Sequence, residues 1–134
     1  MRTLFILQAI LIAIVGAVHL IAIQLYLYWL FPWLDIFVHF FGGLWVALAA
    51  VWLLAAAHQR TPFMRIFFIL AAVSIGWELF ELWGGIPREA NFAFDTSLDF
   101  LMDALGGISG YFIAERLTLH AKMNPHGTTQ SNSS

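Results

Sequence analysis

Six ionisable residues stand inside apolar runs at helical spacing: Asp35 and His39, Glu78 and Glu81, Asp99 and Asp103. Asp35/His39 and Asp99/Asp103 are four residues apart and Glu78/Glu81 three, so on helices each pair shares one face. A charged side chain in hydrocarbon costs roughly 2.5–3.5 kcal/mol even on a lenient insertion scale, which makes such residues functional candidates. Carboxylates gathered at one point cannot all stay ionised without a counter-charge. A divalent cation would supply it, and oxygen-rich ligation with one imidazole suits Mg, Mn, Fe or Zn. His39, Glu78, Glu81, Asp99 and Asp103 form the expected ligand pool, with Asp35 as a base or as the group that orients His39.

The elements that must position these residues are membrane helices. The 134 residues are 61% hydrophobic and only 10% charged, far from the roughly 25% charged of a soluble domain. There is no cysteine, so thiolate sites, thiol catalysis and disulfides are excluded. A net charge of -2 with no basic stripe gives nucleic-acid binding no support. Four hydrophobic stretches, Leu4–Leu30, Leu34–Ala57, Phe63–Trp83 and Leu98–Leu117, each approach the ~20 residues that span a bilayer. The first is too long for a signal peptide and lacks a cleavage motif. Pro32 separates the first two, since it cannot continue the preceding helix. The expected architecture is all-α, a four-span transmembrane bundle over 1–122, followed by a disordered polar tail over 123–134.

Arg2, Arg60, Arg65, Arg116 and Lys122 fall on one side of such a bundle and Arg88 on the other. The positive-inside rule then places both termini in the cytoplasm. Trp29, Trp33 and Trp83, with Tyr26 and Tyr28, mark the opposite interface as an aromatic belt. All six ionisable residues come to one level near that interface, in the outer leaflet. Gly42-Gly43 and Gly106-Gly107 with Gly110 allow transmembrane backbones to approach closely there.

Each residue also has a plainer reading. Asp35 suits a first helical turn, where it complements the helix dipole. Thr96-Ser97-Leu98-Asp99 fits the capping-box pattern, and Asp95 fits a cap or a solvated acid. His19, alone in the first span, reads as a hydrogen-bonded packing residue, and Glu115 beside Arg116 as a cytoplasmic-interface residue. Glu78 and Asp103 lie deeper, where no interface explains them.

Leu34-Asp35-Ile36-Phe37-Val38-His39-Phe40 resembles the Asp-x-x-x-His-Phe element of VanZ-like membrane proteins. Trp77-Glu78-Leu79-Phe80-Glu81, followed by the segment from Asp95-Thr96 through Asp99 and Asp103 to Gly106-Gly107, resembles the YjdF-like family. The resemblance covers residues 34 to 110 and implies motif positions at Asp35, His39, Glu78, Glu81, Asp95, Asp99 and Asp103. It implies little activity: VanZ-like proteins are linked to glycopeptide-antibiotic resistance, and the YjdF-like group has no established one. The chain departs from VanZ at Ile36, where lysine is frequent, at Glu81 in place of glutamine and at Asp103 in place of asparagine. Both acidic replacements increase the need for a cation. Arg88 after Pro87 echoes a Pro-x-Arg element.

The expected function is a divalent-metal site acting on a membrane lipid headgroup or a lipid-linked substrate, as a metal-dependent membrane hydrolase would. Arg88 would hold an anionic headgroup beside the catalytic Asp35. The alternative is a proton- or cation-coupled transporter or channel component using the same acids. Such a path needs polar groups toward the cytoplasmic side, and only Gln8, His19 and Ser74 stand there, unless a homo-oligomer supplies more. A third reading is an accessory subunit whose acids pair with a partner's cations.

Overall fold

The computed structural model describes residues 1–84 and 92–123. They form five helices: α1 (Arg2–Gln24), α2 (Leu27–Leu30), α3 (Trp33–Ala56), α4 (Phe63–Gly84) and α5 (Phe92–Met123). The described residues contain no strand. α1, α3 and α4 are each long and apolar enough to cross a membrane. α5 is not among those three: its 32 residues carry Asp95, Asp99, Asp103, Glu115 and Arg116. The acids that make it interesting are what lower its hydropathy.

α1 is apolar all round and buries only Leu4, Gln8 and Ala22. Ile10, Ile14 and Leu20 remain 55%, 57% and 62% exposed. A helix apolar on every face but bare to its surroundings belongs in lipid, not water.

The expected first span, Leu4–Leu30, is broken in the structure. α1 ends at Gln24, and Tyr26 takes a left-handed backbone with φ 54 before the short α2. The break folds Tyr28 back until its hydroxyl lies 2.7 Å from His19 Nδ1. In an unbroken helix those residues, nine apart, would be separated by about 13 Å of rise. The hydrogen bond offsets a left-handed non-glycine residue, which costs ~1–3 kcal/mol. Tyr28→Phe is therefore expected to destabilise the protein by about 1 kcal/mol, read as an earlier unfolding midpoint in detergent.

α3 and α5 run parallel and form the closest helix pair. A Cβ built on Gly106 would collide with the Phe40 carbonyl, and one on Gly43 with the Asp103 carbonyl. At Gly110 a Cβ would meet the Leu44 carbonyl oxygen at 2.5 Å. Glycine is the residue that lets these backbones touch. Gly107 instead admits the side chain of Leu70 from α4. α4 packs against both α3 and α5, while α1 lies chiefly on α3.

The dry core occupies the end of the bundle where α1 starts: Leu4, Leu48, Val51, Ile66 and Ala114 are each at most 2% exposed. Tyr111 closes that end, donating to Glu115 at 2.9 Å and facing the Thr61 carbonyl at 3.5 Å. The other end holds the acids.

α5 begins earlier than the apolar stretch starting at Leu98. Thr96 is thus inside the helix and is no cap, and the capping-box reading of Asp99 fails. Asp95, half-buried, is the acid of the first turn. Arg88 and the tail from Asn124 lie outside the described residues.

Candidate functional site

α3 starts, α4 ends and α5 starts at the same end of the bundle, so antiparallel threading brings their acidic turns together. His39 is the hub, 3% exposed. Its Nε2 lies 3.8 Å from Asp35 Oδ1 and 3.8 Å from Asp99 Oδ1, and its Nδ1 faces Asp103 Oδ1 at 3.4 Å. Asp35 reaches it from one turn back on α3, Asp99 and Asp103 from successive turns of α5. Two trios can be drawn through the imidazole, Asp35/His39/Asp99 and His39/Glu78/Glu81, each offering ligand atoms that lie within 4.8 Å of one another. Glu78, Glu81, Asp99 and Asp103 are all buried. Every acid of the three sequence pairs therefore gathers around one histidine.

The spacing suits ion pairs to a protonated imidazole as well as shared ligation of one ion. At 3.8 Å the Nε2 contacts are beyond hydrogen-bond length, and Nε2 is buried with no hydrogen-bond partner. Two ligand atoms on one tetrahedral zinc-like ion, each about 2.1 Å from it, stand roughly 3.4 Å apart. The Asp35 and Asp99 contacts at 3.8 Å would close by a few tenths of an ångström to bind one, and atoms at the 4.8 Å limit of the trios by more than that. The donor set, one imidazole with carboxylates and no thiolate, suits a hard or borderline divalent ion.

Two supporting residues escaped the sequence reading. Trp77 donates its indole N–H to Glu81 at 2.9 Å, one helical turn away. The Thr96 hydroxyl donates to Glu78 at 3.0 Å from a different helix. The first was visible as an i,i+4 pair within the Trp-Glu-x-x-Glu element. The second, between residues 18 apart, had no local signal, because Thr96 reads equally well as a cap.

Below His39 a cavity of about 270 Å³ extends between α1, α3 and α4. Val15, Gly16, Val38, Gly42, Val46 and Val73 supply apolar wall, and His39 and Asp103 form its polar corner. His19 lies between Tyr28 and Trp77: its ring meets Trp77 edge-on with centroids 5.2 Å apart.

No curated protein and no solved structure matches the chain. A family model covers nearly all of the helical bundle, residues 3–119, including every residue of the His39 cluster. By that match the chain belongs to the predicted membrane protein family DUF2238.

Proposed function

We propose that this protein binds a divalent metal ion at the His39 cluster and acts on the headgroup of a membrane lipid or lipid-linked substrate. The supporting observation is the His39 imidazole, buried with Nε2 lacking a hydrogen bond and 3.8 Å from two carboxylate oxygens. In this reading α5 is the fourth span, both termini face the cytoplasm, and the cluster lies in the outer leaflet of a bacterial or archaeal cell membrane. The resemblance of Asp35–Phe40 to VanZ-like proteins, and of the Trp77–Glu81 and Asp95–Gly107 elements to YjdF-like proteins, supports this reading.

His39 Nε2, Asp35 and Asp99 form the first ligand set, with Glu78 and Glu81 completing it from α4. Asp103, on the Nδ1 side, fixes the imidazole's orientation and tautomer, as carboxylates commonly do for metal-bound histidine. This exchanges the roles that sequence spacing suggests for Asp35 and Asp103. Trp77 and Thr96 hold Glu81 and Glu78 in their rotamers. A divalent ion bound there supplies Lewis acidity toward a phosphate or ester oxygen and lowers the pKa of a bound water. Arg88, in the connection between α4 and α5, is assigned to the anionic headgroup.

The test is turnover of vesicles carrying lipid phosphates or esters, by wild type and by the Glu78→Gln/Asp103→Asn double variant. Divalent-dependent headgroup release by the wild type, lost in the variant, is the expected result. Cation flux that Glu81→Gln abolishes, without any release, would establish the transport reading instead. Within one chain the dry core of Leu48, Val51 and Ile66 separates the acids from Glu115, which favours a one-sided site.

A further inference from the structure

Among the described residues, Gly43, Gly106, Gly107 and Gly110 are required by backbone or side-chain packing, since a Cβ on any of them would collide. Gly16, Gly42 and Gly76 are not: a Cβ on any of these meets nothing within 4 Å. Of those three, Gly16 and Gly42 line the cavity beneath His39, one from α1 and one from α3, where the missing side chains leave it room.

The cavity lies beside a gap between α1 and α4. Among the described residues α1 and α4 each pack on α3, but their backbones do not approach one another. Ile12 and Val73 line the cavity from those two helices and are 38% and 45% exposed. Near one end of the gap the edge-on contact of His19 with Trp77 bridges α1 and α4. The separation of those two helices leaves the space a side on the face that α1 marks as lipid-exposed. From His39 to Val46 along α3 it extends about 10 Å. Its upper corner is the polar His39–Asp103 pair. Farther down, the buried indole N–H of Trp45 has no hydrogen-bond partner. Ser74 and His19 also line it, but most of the wall is apolar; a mostly apolar space with the acids at one corner, between helices that face lipid, suits an amphiphile with a hydrocarbon chain and its head at the acids.

We propose that the α1/α3/α4 cavity takes one hydrocarbon chain of a membrane lipid through the gap between Ile12 and Val73, leaving the lipid's polar head against the His39 cluster. This rests on the lipid-directed reading of that cluster and specifies its substrate as a lipid gripped by the chain.

The experiment uses the full chain in phosphatidylcholine vesicles doped with a phosphatidic acid whose acyl chain carries a diazirine. After illumination, labelled peptides are mapped by mass spectrometry, with and without a chelator. Wild type is expected to label at Ile12, Val15, Val46 or Val73. Gly16→Leu and Gly42→Leu, whose Cβ atoms meet nothing within 4 Å, put side chains at the cavity wall and are each expected to lower that labelling about tenfold, one decade in affinity. Gly76→Leu is the control, because a Cβ there also meets nothing but Gly76 does not line this cavity. Labelling spread over outward residues such as Phe68 and Phe112, unchanged by either filling variant, overturns the proposal. Cavity labelling that survives the chelator supports the chain site even if the metal reading fails. Metal binding with labelling only on outward residues overturns the chain site and leaves the metal reading standing.

Discussion

Gly106→Leu is expected to abolish the folded bundle or to destabilise it by at least the ~3 kcal/mol that marks severe overpacking. The Phe40 carbonyl and the Leu44 amide stand where the new Cβ would go. Backbone atoms cannot rotate aside as a side-chain tip can, so α5 would have to move off α3 bodily. That movement would carry Asp99 and Asp103 away from His39, and the site would be lost with the packing. Hydrophobic burial offers no compensation within lipid, where close packing itself holds helices together. Gly76→Leu is expected to be nearly neutral, since its Cβ meets nothing within 4 Å. Thermal unfolding of both variants in the same detergent checks the contrast; equal midpoints would show that the α3–α5 contact is not what holds the bundle.

His39→Leu is expected to weaken divalent binding by on the order of 100-fold or more, above the range measured for loss of a mere supporting residue. Both potential ligand trios pass through this imidazole, so no other single change removes as much. The variant also leaves Asp35, Asp99 and Asp103 facing a hydrocarbon side chain. Removing one partner of a buried ionic cluster typically costs ~3–5 kcal/mol. Calorimetric titration with Mn or Zn, beside thermal unfolding of the metal-free variant, separates loss of the ligand from loss of the fold.

The sequence made α3 and α4 legible almost to the residue, since proline and polar turns bracket long apolar runs. The three acidic pairs were legible too, because intramembrane charge stands out and i,i+3 and i,i+4 spacing forces each pair onto one face. Two features were not. The break at Tyr26 has no glycine or proline to announce it, and a contact between Tyr28 and His19, made only in the folded chain, accompanies it. The start of α5 at Phe92 was hidden by Thr96, whose hydroxyl is used on Glu78 of another helix. In both cases the structure carries a tertiary contact that no local signal announces. The division of the glycines was equally invisible: Gly42 and Gly43 are neighbours in sequence, yet one faces open space and the other the backbone of α5. The same helical geometry decides which carboxylate meets which imidazole nitrogen, and no spacing rule distinguishes Asp35 from Asp103 there.

The most direct test of the central claim is the metal content of the purified wild-type protein, measured by mass spectrometry after exposure to Mg, Mn, Fe and Zn and removal of excess ion. The account predicts retention of a divalent ion at near one-to-one stoichiometry, lost in Glu78→Gln/Asp103→Asn. A wild type that retains none of the four would contradict it, and proton-coupled transport by the same acids would become the leading reading.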